Sequence, residues 1–413
     1  MRRTIKKIPW FFGFLMGFGS QTSQAMSWSE LMENTKVNSP LLQSLEAERA
    51  AAKYSRLEKT SSFLPEVGLS FRNQTRFFED SRVNSHGVSL DITQNIYSGF
   101  KDQISLDISK MKEEKFDFSA QKSKAEVYGK LLSEAAQYVY SRDLTKLNEE
   151  IEERLRRNLN LVRLRFDVGS ENKGSVLLSE ASLKQAVLDL NGAKDLLADS
   201  TSKLQDSTGI ASISSFDGKL PLMKPTQLKP AQPDDLTSPS LKELEFDDRI
   251  AHLETRLVTS GYSPRVDLKA SRTLISSEES NRSEKGLVEL SVTVPLFSGL
   301  STVHATKRAF EEERVISLQR KDKGDTLKNS FAKVMRDWNS AYEALGVAES
   351  YEKAMVLRTE IARKKYSNGL LSFEEWERIE QDLILKQKAL LSARKTIAET
   401  QATYHQLTGQ GEF

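Results

Sequence analysis

From Gly99 to Phe166 no proline interrupts the chain, and apolar side chains recur every three or four positions. Leu144, Leu147, Ile151, Leu155, Leu159 and Val162 form a coiled-coil-like seam, which predicts one long helix over 99–166. Phe331, Val334, Trp338, Tyr342, Leu345 and Ala348 repeat the seam within 299–366. At ~1.5 Å per residue each segment makes ~100 Å of helix, a rod or two helices stacked end to end. Such stripes are read as core, the seams of a helical barrel or bundle. Shorter helical patterns cover 41–62, where Pro65 follows, then 175–208, the start of 240–413, and 372–407.

Between these helices the period changes from 3.6 to 2, predicting strands at about 66–78, 86–97, 265–275 and 287–297. Val67, Leu69 and Phe71 alternate with Ser70, Arg72, Gln74 and Arg76, and Val88, Leu90 and Ile92 with Ser89, Asp91 and Thr93. Val266, Leu268 and Ala270 face away from Asp267 and Lys269, and Val288, Leu290 and Val292 from Glu289 and Ser291. A soluble sheet with one wet face shows the same alternation. Strands of this length also cross a bilayer when tilted. In lipid an open edge is untenable, so closure is obligatory. Single-chain barrels need roughly eight strands or more, so four per chain imply a shared barrel, and three chains would supply twelve. Arg72, Arg76, Asp91, Lys269 and Glu289 would then face a water-filled lumen.

The two halves repeat. Ser39-Pro40 recurs as Ser238-Pro239, Pro65 as Pro264, and Ile96-Tyr97-Ser98-Gly99-Phe100 as Leu296-Phe297-Ser298-Gly299-Leu300. Arg165-Phe166-Asp167-Val168-Gly169 matches Lys365-Tyr366-Ser367-Asn368-Gly369, and Thr208-Gly209 matches Thr408-Gly409. A register held to within one residue marks a duplication of about 200 residues. Repeat 1 spans 26–208 and repeat 2 spans 240–413. Residues 209–239 carry five of the 10 prolines and read as an extended connector, the rival being a small folded insert.

Composition narrows the function. With 38% hydrophobic and 29% charged residues among 413, the chain is poorly supplied with globular core. Its lack of cysteine excludes disulfides, thiolate metal sites, cysteine nucleophiles and an N-terminal cysteine lipid anchor. Arg2, Arg3, Lys6 and Lys7, the apolar run from Trp10 to Phe18, and Ser23-Gln24-Ala25 read as an export signal over 1–25. A membrane anchor is the rival, but the run is too short to span. Removing that segment leaves 56 Lys and Arg against 58 Asp and Glu, turning a formal +2 into −2. Nothing then favours a nucleic-acid partner. His86, His252, His304 and His405 show no ligand spacing, and no phosphate loop or nucleophile elbow is present. The chain is read as no enzyme, without cofactor or metal. An exported, barrel-forming chain belongs in the outer membrane of a Gram-negative cell.

At this point the chain resembles the TolC-like outer-membrane efflux proteins over nearly all of 26–410. The resemblance rests on Ser39 to Leu41, Phe63 to Pro65, Val294 to Gly299 and Leu407 to Gly409, on their order, and on the duplication. It implies a mainly α fold with membrane β: long antiparallel helical hairpins forming a periplasmic α-barrel, continuous with a trimeric 12-stranded β-barrel. It also implies a homotrimer in outer-membrane lipid, docked to a periplasmic adaptor (membrane fusion) protein and an inner-membrane transporter or secretion ATPase. Substrates of efflux or type I secretion would leave passively through the duct.

The family's adaptor-contacting turns map to Arg165, Phe166, Val168 and Gly169, and to Lys365, Tyr366, Gly369 and Leu370. Here Ser170 stands where the family often has Leu, and Asn368 where it has Val. The acidic residues that narrow the family's tunnel mouth map to Glu374 and Glu375, with Trp376 and Arg378 among them and Ser175 at the matching place in repeat 1. A solvated charged face accounts for the two glutamates equally well. The rival function is a periplasmic coiled-coil adaptor or structural protein without a channel, which would not need four amphipathic strands placed identically in both repeats.

Overall fold

The computed structural model describes residues 25–77, 82–210, 213, 216–225, 238–277 and 283–411. The leader reading falls on residues of which 1–24 lie outside that set. In chain order the elements are α1 (Trp28–Asn38), α2 (Pro40–Thr60), β1 (Glu66–Phe77), β2 (Arg82–Tyr97), α3 (Lys101–Asp167) and α4 (Lys173–Thr208). The second repeat gives α5 (Pro239–Thr259), β3 (Arg265–Ser277), β4 (Ser283–Thr293), α6 (Ser301–Ser367) and α7 (Phe373–Thr408). α3 and α6 each have 67 residues, and α4 and α7 each 36, so the repeat holds element by element.

The same local chemistry shapes both copies. Ser39 and Ser238 precede a proline at the first turn of α2 and α5, where a missing N–H costs nothing. Both helices end in a short 3-10 turn, Ser61–Phe63 or Ser260–Tyr262, before a proline that cannot continue a helix. At the junction from barrel to rod, Gly99 and Phe100 (φ +67° and +64°) and Gly299 and Leu300 (φ +61° and +66°) are all left-handed. Phe and Leu adopt that region only under strain, so the corner is imposed by the structure around it. At Gly99 a Cβ would lie 2.2 Å from the Ser263 Cβ.

β1 to β4 form one antiparallel sheet in sequence order. Its apolar face has no core beneath it: Leu69, Phe71 and Val288 are more than 70% exposed. Below the sheet α3 packs on α2 and α5, and α5 on α6. Farther down α3 packs on α4 and α7, and α7 on α6. Every layer is therefore an open ribbon, and all share the same two edges. One edge is β1, α2 and α4, and the other is β4 and the length of α6.

Three differences from the sequence reading have physical causes. The last strand stops at Thr293, not 297, because Pro295 removes a ladder donor. A helix absent from the reading, α1, opens the described chain. A Ser27–Glu30 capping box starts it, and Leu31 seats fully buried against Leu131, Leu204 and Phe216. The described part of the connector is held against the helices. Phe216 pairs with Met26 in a parallel bridge, and its carbonyl accepts from Arg142 Nη1 at 3.0 Å. Gln401 donates to the Pro221 carbonyl and accepts from the Met223 N–H, each at 2.9 Å. Residues 216–223 of the connector thus run as a strap across the helices.

Candidate functional site

The far ends of the helical hairpins are two turns built alike. Gly169 and Gly369, each at φ +74°, end α3 and α6, since a left-handed residue lets the last carbonyls find donors. Ser170 N–H donates to the Arg165 carbonyl at 2.8 Å, and Leu370 N–H to the Lys365 carbonyl at 2.9 Å. Asn172 and Ser372 then cap α4 and α7, accepting from Ser175 N–H at 3.0 Å and Glu375 N–H at 3.2 Å.

Their side chains have diverged. Tyr366 is wholly buried, stacked on Trp376 at 4.3 Å between ring centroids and 16° between planes. The Arg165 guanidinium covers its ring at 4.6 Å and donates to its carbonyl. The Tyr366 hydroxyl donates to Glu171 Oε2 at 2.8 Å. Burial and the Glu171 charge push that hydroxyl well above the usual phenol range. Burial alone would raise Glu171, but the Asn172 N–H, the Tyr366 and Ser175 hydroxyls and Arg165 together hold it below its ordinary value. Of the tip residues singled out in the sequence, Tyr366 thus has its side chain turned inward, its ring a strut joining the two hairpins of one chain. Phe166, Val168 and Leu370 do stand exposed on the tips, and so do Gly169, Lys365 and Gly369, while Arg165 is half-buried and occupied by Tyr366. Glu374 and Glu375 are exposed at the first turn of α7.

Further links tie α3 and α4 to α7. Lys388 Nζ donates to Asp189 Oδ2 at 2.7 Å and Ser182 Oγ to Glu377 Oε1 at 2.9 Å. Arg154 Nε lies 3.2 Å from Glu380 Oε2, and the Glu380 side chain is 1% exposed. Burial raises Glu380 despite the Arg154 charge, and burial lowers Arg154. Nothing in the sequence marks these three residues: Arg154 and Glu380 look like ordinary surface positions of a charged helix, and Glu171 like a solvated turn residue.

At the other end, the register brings Arg72, Arg76, Asp91, Lys269 and Glu289 onto one face, with Lys269 directly opposite Glu289. Ser89 Oγ donates to Asp91 at 3.1 Å, and Arg265 pairs with Asp267 at 2.6 Å, so this face carries a polar network. The opposite face is apolar in its lower part. Farther out it holds Asn73, Thr75, Asn84 and His86 and the ion pair Arg272–Glu284, a polar zone that the alternation had concealed.

The family model for outer membrane efflux proteins matches residues 31–210 and 236–410. The chain belongs to that family. The outer membrane protein VceC from Vibrio cholerae has a similar structure, with TM-score 0.81 at 14% identity over 93% of this chain and 96% of that one. The Campylobacter jejuni CmeC outer membrane channel aligns with TM-score 0.81 at 14% identity, covering 92% and 85%. The open state of the Neisseria gonorrhoeae MtrE outer membrane channel aligns with TM-score 0.76 at 13% identity, covering 92% and 88%. At these identities the likeness establishes the fold. No curated protein matches the sequence. As an outer membrane efflux protein the chain is a passive channel rather than an enzyme. Its place is the Gram-negative outer membrane, with the helical part in the periplasm. The reading as a channel-less adaptor falls with this membership. Among the described residues no helix is long and apolar enough to cross a membrane.

Proposed function

We propose that three copies of this efflux protein close into one duct, which gives substrates handed over by a periplasmic adaptor and an inner-membrane transporter or secretion ATPase a passive way out. The observation that carries the reading is the pair of shared edges. A sheet, an upper helical layer and a lower helical layer that all break off along the same two lines are completed together by one head-to-tail interface, which makes a ring when its rotation closes. Three copies bring four strands each to twelve, and closure removes the edges that lipid does not tolerate.

Residues 1–25 direct export in this reading. Arg72, Arg76, Asp91, Lys269 and Glu289 line the barrel lumen. Phe166, Val168 and Leu370 offer the adaptor an apolar contact at the tips, flanked by Lys365. Glu374 and Glu375, repeated threefold, set a cation-favouring ring at the mouth. The test is the purified full-length protein in a planar bilayer. The expected result is a trimer that fractionates with the outer membrane and conducts ions, with cation preference reduced in the Glu374→Gln, Glu375→Gln variant. A monomer without conductance refutes the reading.

A further inference from the structure

Resting on the trimer reading above, we infer that copies of this chain recognise one another by charge just below the sheet, where Arg308 and His304 of one copy clasp Glu58 of the next. The internal repeat supplies the argument. α2 and α5 have 21 residues each and begin at Pro40 and Pro239, while α3 and α6 have 67 each and begin at Lys101 and Ser301. In one chain the upper layer runs α2, α3, α5, α6, each helix packed on the next. α5 and α6 thus repeat α2 and α3. The seam between α3 and α5 therefore has its equivalent where α6 meets the neighbouring copy's α2. Positions correspond at an offset of 200 from α3 to α6 and of 199 from α2 to α5.

Within a chain this seam is apolar at its upper end. Ile104 and Ile108, each 6% exposed, pack on Ile250, with Leu253 and Leu257 against them. Lower down two ion pairs follow, Lys112–Glu254 at 3.5 Å and Lys115–Asp247 at 2.5 Å. Between copies the pattern is inverted. Ile104 and Ile108 become His304 and Arg308, and Leu257 and Leu253 become the neighbouring copy's Glu58 and Tyr54. The ion pairs are gone, since their places fall to Glu312 beside Ser55 and to Val315 beside Glu48.

A single chain leaves these charged side chains uncommitted. Those of Glu58 and Arg308 are 71% and 70% exposed, each paired only along its own helix, with Lys59 at 3.2 Å and Glu312 at 3.6 Å. Exposed pairs of that kind contribute little and give way to a better partner. His304 and Arg308 stand four positions apart on one helix face, so together they span a single carboxylate. Arg308 carries the charge, the His304 ring adds an N–H donor in either protonation state, and Tyr54 offers the guanidinium a ring face.

A chain of two like repeats has two seams of the same shape, and this inversion keeps them apart. Crossing them sets Arg308 against Leu257, or Glu58 against Ile104 and Ile108, and so buries a charge without a partner. The apolar seam forms within a chain and the charged one only between matching copies.

The test exchanges the charges in the full-length protein and reads trimers from outer membranes on a non-denaturing gel. Glu58→Arg and Arg308→Glu, made separately, each set like charges together at every joint and are expected to lower trimer yield more than about tenfold. Both changes in one chain restore opposite charges at every joint, and trimers are expected to return. Co-expressed with differently tagged unaltered chains, the doubly changed chain is expected to assemble only with itself, because any mixed ring contains joints of like charge. Lys307→Glu is expected to assemble normally, since its counterpart Asp107 binds Gln103 and Lys110 along its own helix, away from the seam. Full yield from either single variant, no recovery in the double, or mixed trimers in proportion to expression overturns the inference. Absence of trimers and of conductance in the unaltered protein is a separate failure, that of the channel reading itself.

Discussion

Replacing Tyr366 by Phe removes one hydroxyl and leaves the stack on Trp376 and the Arg165 cover in place. What is lost is a 2.8 Å bond to the Glu171 carboxylate. A hydrogen bond to a charged group contributes about 1.5–3 kcal/mol. Glu171 is half-exposed and keeps the Ser175 hydroxyl and Asn172 N–H, so screening reduces the net effect to about 1 kcal/mol. That is roughly a fivefold rise in local opening of the tip, read by hydrogen exchange of the amides around Gly169 to Ser175 at pH 7. The effect depends on pH with a definite sign. Glu171 sits below its ordinary value, so its contribution is fully present above the unfolded carboxylate range of about 4 and is lost as pH falls through the lower folded value. The Tyr366→Phe difference should fade over that acid window. Glu171→Gln should produce a similar loss, and the double variant no more than the larger single one. Equal protection of both proteins at pH 7, or a difference that persists once Glu171 is protonated, refutes the assignment.

On the outward face Leu290→Arg should cost about 2–4 kcal/mol per chain near mid-membrane and suppress trimer yield in the outer membrane, while Ser291→Arg, one residue on and facing the lumen, should assemble; equal yields would contradict the two-faced sheet. Removing Arg154 alone leaves Glu380 buried without its partner, an expected loss of about 3–5 kcal/mol, whereas Arg154→Met with Glu380→Leu should be neutral or stabilising; thermal dissociation of the trimer orders the three proteins. Gly99→Ala should fail to assemble because its Cβ would strike Ser263. Gly169→Ala meets nothing within 4 Å and should cost only about 1–2 kcal/mol of left-handed strain, seen as a small drop in the same dissociation temperature.

The architecture was legible because its signals are periodic. The seams through Ile151 and Trp338 and the alternation through Leu69 and Leu290 mark long helices and strands, and the repeat fixes their order. Helix α1 is not legible because it is short and its deep apolar anchor, Leu31, meets residues distant in the chain. The strap at Phe216 and Pro221 was missed for the same reason, since proline content says nothing of where carbonyls find donors. At the tips the sequence located the turns, yet Phe166 and Tyr366 look interchangeable there. Only packing separates them, because Trp376 and Arg165 enclose the tyrosine.

The outward face of the sheet also holds a measurement of its own inclination. Its continuous apolar part ends at Phe71 and Val88 on the first two strands and at Ala270 and Val288 on the last two, with Phe77 and Leu274 as separate apolar residues beyond the line. Phe71 is level with Val88, but Ala270 and Val288 are level with Val67, so the border drops four residues from one edge of the sheet to the other. With roughly 3.4 Å per residue along a strand and about 4.8 Å between strands, that drop over three spacings is a slope of about 43°. A membrane surface is flat, so the slant belongs to the strands. The angle falls within the 35–45° or so at which barrel strands lean against the membrane normal, and it places Arg272, Glu284 and His86 together at the outer headgroups.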